Sequence, residues 1–165
     1  MHKSFTLLIL TLLIMELAAQ TKKETINYLN TIFKKSPVIV KTLETDIRFL
    51  RIMPDGNFEI KCSTYKPTSA PKPEDLQSTH VVSGNMKDLS PFSISSSNNN
   101  GLVYIYATCS NGKFIYQQND DKGGNSRFPL PAVLLGVISP GADLTLEANC
   151  KKALTRLILL CGGKD

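Results

Sequence analysis

Along residues 144–161 the apolar positions Leu146, Cys150, Ala153, Leu154, Leu157, Ile158 and Cys161 recur at steps of three and four, the period that gathers side chains on one side of a helix. Glu147, Asn149, Lys151, Lys152, Thr155 and Arg156 fall on the other side, and Gly162 with Gly163 supplies the left-handed residue that ends many helices. Asp143 or Thr145 stands where a cap for the helix start is needed. A second, shorter helix is predicted from Thr21, which has with Glu24 the spacing of a reciprocal cap. It buries Ile26, Leu29, Ile32 and Phe33, turns Asn27, Asn30, Thr31 and Lys34 away, and stops at Ser36 before Pro37. Both stripes need a surface to cover them, and the rest of the chain reads as a sheet that provides it.

From Val38 the period changes to that of strands, over residues 38–43, 47–53 and 58–64, with Pro54, Asp55, Gly56 and Asn57 as the turn between the last two. A loop of even length sets Met53 opposite Phe58, Arg51 opposite Ile60 and Phe49 opposite Cys62. The dry face is then Ile47, Phe49, Met53, Phe58, Ile60 and Cys62, and Arg51 interrupts it, either snorkelling at the sheet rim or binding a ligand. Residues 66–78, with Pro67, Pro71 and Pro73, read as a mobile loop. Short strands are predicted near 79–83 and 92–95, with a polar turn at 95–101.

The strongest hairpin signal is Asn111–Gly112, pairing residues 102–109 with 113–118. It places Val103, Ile105, Ala107, Cys109, Phe114 and Tyr116 in the core. Tyr104, Tyr106, Ile115 and Gln117 are left on a second face, to be covered by the first helix or by a partner. Residues 119–127 read as a polar loop, 128–131 as a kinked lead-in and 132–138 as a buried strand. The expected fold is α+β: a short N-terminal helix, a curled antiparallel sheet or partly open barrel of about seven strands, and a C-terminal helix packed on it.

Strands followed by one amphipathic C-terminal helix give residues 38–161 an order that resembles the pleckstrin-homology-like barrel, in which such a helix plugs one open end of a bent sheet. The layout is also similar to small exported bacterial proteins of unassigned activity. Both resemblances are architectural, and neither implies a functional residue.

The amino terminus changes the picture of where the protein works. Lys3, an apolar run over residues 5–15 and the small pair Ala18 and Ala19 form the three parts of a secretory signal, with cleavage expected after Ala19. The run is about half the roughly 20 residues that span a bilayer, so no membrane span is expected after cleavage. Residues 20–165 then form one secreted or periplasmic domain. The net charge of +5 is scattered over 19 basic and 14 acidic residues, without the dense basic stripe of a nucleic-acid binder.

Four cysteines, Cys62, Cys109, Cys150 and Cys161, are an even number for an exported chain and so are disulfide candidates; the alternative is four free, buried thiols. Cys150 and Cys161 lie on one helix about 16 Å apart, beyond the roughly 7 Å reach of a disulfide, and cannot join each other. No C-x-x-C pair suggests a metal, and the loop around Asp120 and Asp121 lacks calcium-ligand spacing, with Leu130 where a glutamate belongs. No phosphate-cradling glycine motif is present, and no cofactor is implied. His80 is the one histidine beyond the signal, and it has no nucleophile signature around it. The expected function is therefore a non-enzymatic binding domain for a protein or cell-surface component, with Tyr104, Tyr106 and Arg51 as candidate contacts. The alternatives are a small-molecule binder using a barrel interior, and a hydrolase or redox enzyme using His80 or a cysteine.

Overall fold

The structure, a computed structural model, describes residues 21–34, 39–40, 44–121, 124–141, 143 and 145–164. The signal segment 1–19 and the helix stop at Ser36 and Pro37 lie outside the described residues. The fold is α+β. Helix α1 (residues 21–33) precedes β1 (Ile39–Val40), β2 (Thr45–Ile52), β3 (Asn57–Tyr65), β4 (Leu76–Asn85), β5 (Ser95–Asn99), β6 (Leu102–Thr108), β7 (Ile115–Asp121), β8 (Gly124–Leu130) and β9 (Ala132–Ile138). Helix α2 (Leu146–Leu160) closes the chain. The strands are antiparallel and form two sheets, a six-stranded one ordered β1-β2-β3-β4-β7-β8 and a three-stranded one ordered β5-β6-β9. Neither sheet closes into a barrel.

The predicted α2 stripe is the buried one: Cys150, Leu154, Leu157 and Ile158 are fully inside, and Leu146, Ala153 and Cys161 pack against the same core. Full burial of an aliphatic side chain contributes about 1.5–3 kcal/mol, so this helix is held by its packing rather than by helix propensity. Its C-terminus has the expected glycine stop. Gly162 has φ +89°, and the N–H groups of Gly162 and Gly163 donate to the carbonyls of Leu159 and Ile158 at 3.0 and 2.9 Å. At the other end the Thr145 side chain caps no helix N–H; the Asp143 carboxylate holds Thr145, accepting from its N at 2.9 Å and its Oγ1 at 2.7 Å, and the Asp143 carbonyl accepts from Leu146 N at 3.3 Å.

Helix α1 lays Ile26, Leu29 and Phe33 into the same core. Phe33 packs so closely on Gly136 of β9 that a Cβ there would lie 2.3 Å from the ring. Asn30, expected to face water, instead donates to the carbonyl of Ile52 and accepts from its N–H, both at 2.9 Å, and so occupies the edge of β2 as a short strand would. Residues 66–75 are tied to β2 by reciprocal bonds between Thr45 Oγ1 and the main chain of Thr68, at 2.7 and 2.9 Å. Strand β4 begins at Leu76, inside the stretch expected to be loop.

Three expectations about register are corrected. The β2–β3 turn has an odd loop: Met53 N donates to Asn57 O at 2.8 Å, Gly56 N to Met53 O at 3.0 Å, and Gly56 has φ +92°. That is a type I turn with a glycine bulge. The odd length shifts the pairing by one residue, so Ile52 faces Phe58, Leu50 faces Ile60 and Arg51 faces Glu59. A one-residue shift turns every side chain of β2 over. Leu50 and Ile52 are buried, and Phe49 and Arg51 face outward.

The second correction concerns the two Asn–Gly dipeptides. Asn100 and Gly101 have φ +52° and +76°, the doubly left-handed turn, and join β5 to β6 with Asn99 opposite Leu102. At Asn111–Gly112 only Gly112 has positive φ, +71°, as in a type II turn, and β6 and β7 do not pair. They run in the same sense along one partner strand. Residues 103–108 pair with 132–138, residues 115–121 pair with 124–130, and residues 109–114 bulge out opposite Pro131. Cys109 N donates to Pro131 O at 2.7 Å across that corner, where the ladder leaves one sheet for the other. The third correction follows. Ile115 is fully buried, while Phe114 and Tyr116, expected in the core, lie on the surface, and residues expected to be polar loop form the β7–β8 hairpin.

Asn100→Ala is expected to lower stability by about 1 kcal/mol, the cost of a left-handed alanine, and Asn111→Ala by less than about 0.5 kcal/mol. Urea melts of the two variants check this; equal losses would contradict the assignment of turns.

Candidate functional site

Register defines what the outer face of the large sheet displays. Arg51, Glu59, Ser83, Tyr116 and Pro129 lie directly opposite one another across β2, β3, β4, β7 and β8. Beside this row runs a second, of Phe49, Lys61, Val81 and Gln118. Neither helix covers this face, since both pack into the core on the opposite side. Phe49, Phe114 and Tyr116 are accordingly 47%, 49% and 37% exposed.

At one end the face is notched. Strands β4 and β7 pair only as far as Ser83 with Tyr116; beyond that, β4 continues along β3 through Gly84 and Asn85 while the other chain turns away into 109–114. The gap is a cleft of about 490 Å³, lined among others by Asn57, Glu59, Ser83, Asn85, Phe114 and Tyr116. Gly84 belongs to its lining for a packing reason. An added Cβ would lie 2.5 Å from Ile115 Cγ2 and 3.0 Å from Phe58 Cζ, so only glycine lets the sheet close over those core side chains here. The two asparagines are held in place. Asn85 Nδ2 donates to Asn57 Oδ1 at 2.8 Å, Asn57 Nδ2 donates to Asp55 Oδ2 at 2.6 Å, and Asn85 Oδ1 accepts from Lys87 N at 3.0 Å.

The predicted contacts are not brought together. Arg51 is in the row that leads into the cleft. Tyr104 and Tyr106 lie on the outer face of the small sheet, opposite Ser97 and Ser95 of β5. The first helix does not cover them, because it packs on the other side of β9. A hairpin closed at Asn111–Gly112 hides Phe114 and Tyr116 in the core, and Asn57, Glu59, Ser83 and Asn85 carry no local signal of a site.

A second constellation lies on the inner face. Register sets Arg48, Cys62 and His80 side by side on β2, β3 and β4, so Cys62 and His80 are direct cross-strand neighbours. Arg48 Nη1 donates to Cys62 Sγ at 3.2 Å, while its Nε is buried without a partner among the described residues. Cys62 is only 2% exposed. Burial pushes its thiol up, against the opposing pull of Arg48, and the proton stays on. The thiolate is the attacking species, so this pair lacks an activated nucleophile. Cys62, Cys109, Cys150 and Cys161 are free in the structure. Burial raises Cys109 and Cys161 as well and pushes Cys150 up to about 12.

No protein-family model matches the chain, and neither a curated protein nor a solved structure does.

An unfolded thiol ionises near 9.0 while Cys150 in the fold keeps its proton to about 12. The unfolded state therefore releases its proton first, and this group's contribution to stability is complete below pH 9 and lost as pH rises from there toward 12. Urea midpoints over that range are expected to fall less steeply for Cys150→Ala than for the wild type. A parallel fall would remove Cys150 as a source of the pH dependence.

Proposed function

We propose that the protein is a non-enzymatic exported binding domain whose recognition surface is the outer face of the large sheet. The carrying observation is the row Arg51, Glu59, Ser83 and Tyr116 together with the half-exposed rings of Phe49, Phe114 and Tyr116 on one face that neither helix covers. Arginine and aromatic side chains are enriched among the residues that dominate interface binding energy, the rings because they bring large contact area with few rotors and arginine because its planar guanidinium stacks and donates several hydrogen bonds. Export rests on the signal-like segment at residues 1–19. A binding surface is favoured over an internal ligand site because the interior is occupied by side chains: Leu29, Phe33, Phe58, Ile60, Leu135 and Leu154 are all at most 1% exposed. It is favoured over catalysis because Cys62, beside His80, is buried and protonated.

Phe49→Ala, which trims a half-exposed ring, and Arg51→Glu, which sets a like charge opposite Glu59, are each expected to lower stability by about 1 kcal/mol or less. Retention on envelopes of the native host, measured by co-sedimentation, is expected to drop at least about tenfold for the pair, and to stay within about twofold for Tyr106→Ala on the other sheet. The reverse pattern would move the binding surface to the small sheet.

A further inference from the structure

We infer that the cleft at the end of this face binds the ring of a neutral saccharide, a deduction that rests on the outer face being the recognition surface. A pyranose has a flat side of C–H groups and a rim of hydroxyls that donate and accept in the plane of the ring. Its complement is an aromatic platform with fixed planar hydrogen-bonding groups at the edge. Phe114 and Tyr116, two residues apart, supply the platform at 49% and 37% exposure. Strands are spaced about 4.8 Å apart, so Glu59 stands two spacings, about 10 Å, across the cleft from Tyr116, with Ser83 between them. That span accommodates one ring and part of the next.

The amides are already oriented. Asn57 commits one N–H to Asp55 Oδ2 and Asn85 commits one to Asn57 Oδ1, while Asn85 Oδ1 accepts from Lys87 N, leaving the second N–H of each amide for a sugar hydroxyl without further loss of rotamer freedom. The volume of about 490 Å³ lies within the usual range of small-ligand sites. Charge narrows the class. Within the lining Glu59 and Asp88 outnumber the one base, Lys87, and Arg51 beside Glu59 lies outside it, so an acidic sugar meets more like than opposite charge there. A peptide strand is disfavoured by the same topology: past Ser83 the edge that β4 leaves unpaired toward β7 is only Gly84 and Asn85, too short a template for main-chain pairing of an added strand.

The test is an array of neutral and acidic oligosaccharides probed with the purified protein, followed by calorimetric titration of the strongest neutral trisaccharide. Neutral glycans are expected to bind in preference to acidic ones. Tyr116→Ala and Phe114→Ala are each expected to weaken that binding at least about tenfold, and Glu59→Gln several-fold, with urea midpoints close to wild type. Chemical-shift changes on titration should centre on the amides of residues 57–59, 83–87 and 114–116, which keeps the site testable if an aromatic variant is unstable. Binding to no glycan, a preference for acidic glycans, or neutral binding unmoved by these variants overturns the saccharide assignment. If glycan binding is absent while Phe49→Ala with Arg51→Glu still loses envelope retention, the surface stands and its ligand is a protein; if both are absent, the surface itself is wrong.

Discussion

One antiparallel ladder, bent once, determines the form of this molecule. The β6–β9 and β7–β8 pairs are two stretches of it, separated by the bulge at 109–114 on one side and by Pro131 on the other. Proline has no N–H to give the ladder, so Cys109 can only donate to its carbonyl there, and that single bond marks the corner. Beyond the corner the two stretches join different sheets, yet Val103, Ile105, Val133 and Leu135 from one and Ile115 from the other meet in one core. The stripe of α2 and the apolar side of α1 pack into that same core. With both helices on the inside, neither of them covers the other face of the large sheet.

The helices were legible because a buried helix face repeats often enough to average out single exceptions. Seven apolar positions of α2 point the same way, and its glycine stop is local chemistry. Strand register was less legible, because it depends on the parity of a loop and a single residue inverts it. Pro54–Asp55–Gly56 is compatible with loops of either parity; the odd one was realised because Gly56 takes the left-handed bulge, and a Cβ there would meet Cys161 Sγ at 2.7 Å. Arg51, an anomaly in the wrong register, is an ordinary outward residue in the right one. The choice between two Asn–Gly dipeptides failed for a similar reason. The true hairpin is flanked by β5, Ser-Ser-Ser-Asn-Asn, which has no apolar residue to announce a strand and pairs only because β6 offers an edge.

The same inversion hid the candidate site. Once 102–118 is read as a hairpin, Phe114 and Tyr116 fall into the core and the outer face loses its aromatic residues. In the bent ladder the bulge at 109–114 draws the chain away from β4 just past Ser83, which opens the cleft and places those rings at its edge. Architecture and recognition surface thus share one cause. The inner row of Arg48, Cys62 and His80 shows the converse, that reactive residue types brought side by side need not form a reactive site. Close packing around Cys62 keeps the proton on its sulfur.

The most direct measurement of the central claim is the set of cross-strand nuclear Overhauser effects through residues 102–138. A bent ladder gives contacts of Ile105 with Gly136 and of Gln117 with Phe128, and further contacts of Val82 with Gln117. Contacts of Ala107 with Tyr116 and of Cys109 with Phe114 would instead mean a hairpin closed at Asn111–Gly112, and would contradict the two-sheet arrangement, the exposure of Tyr116 and the cleft together.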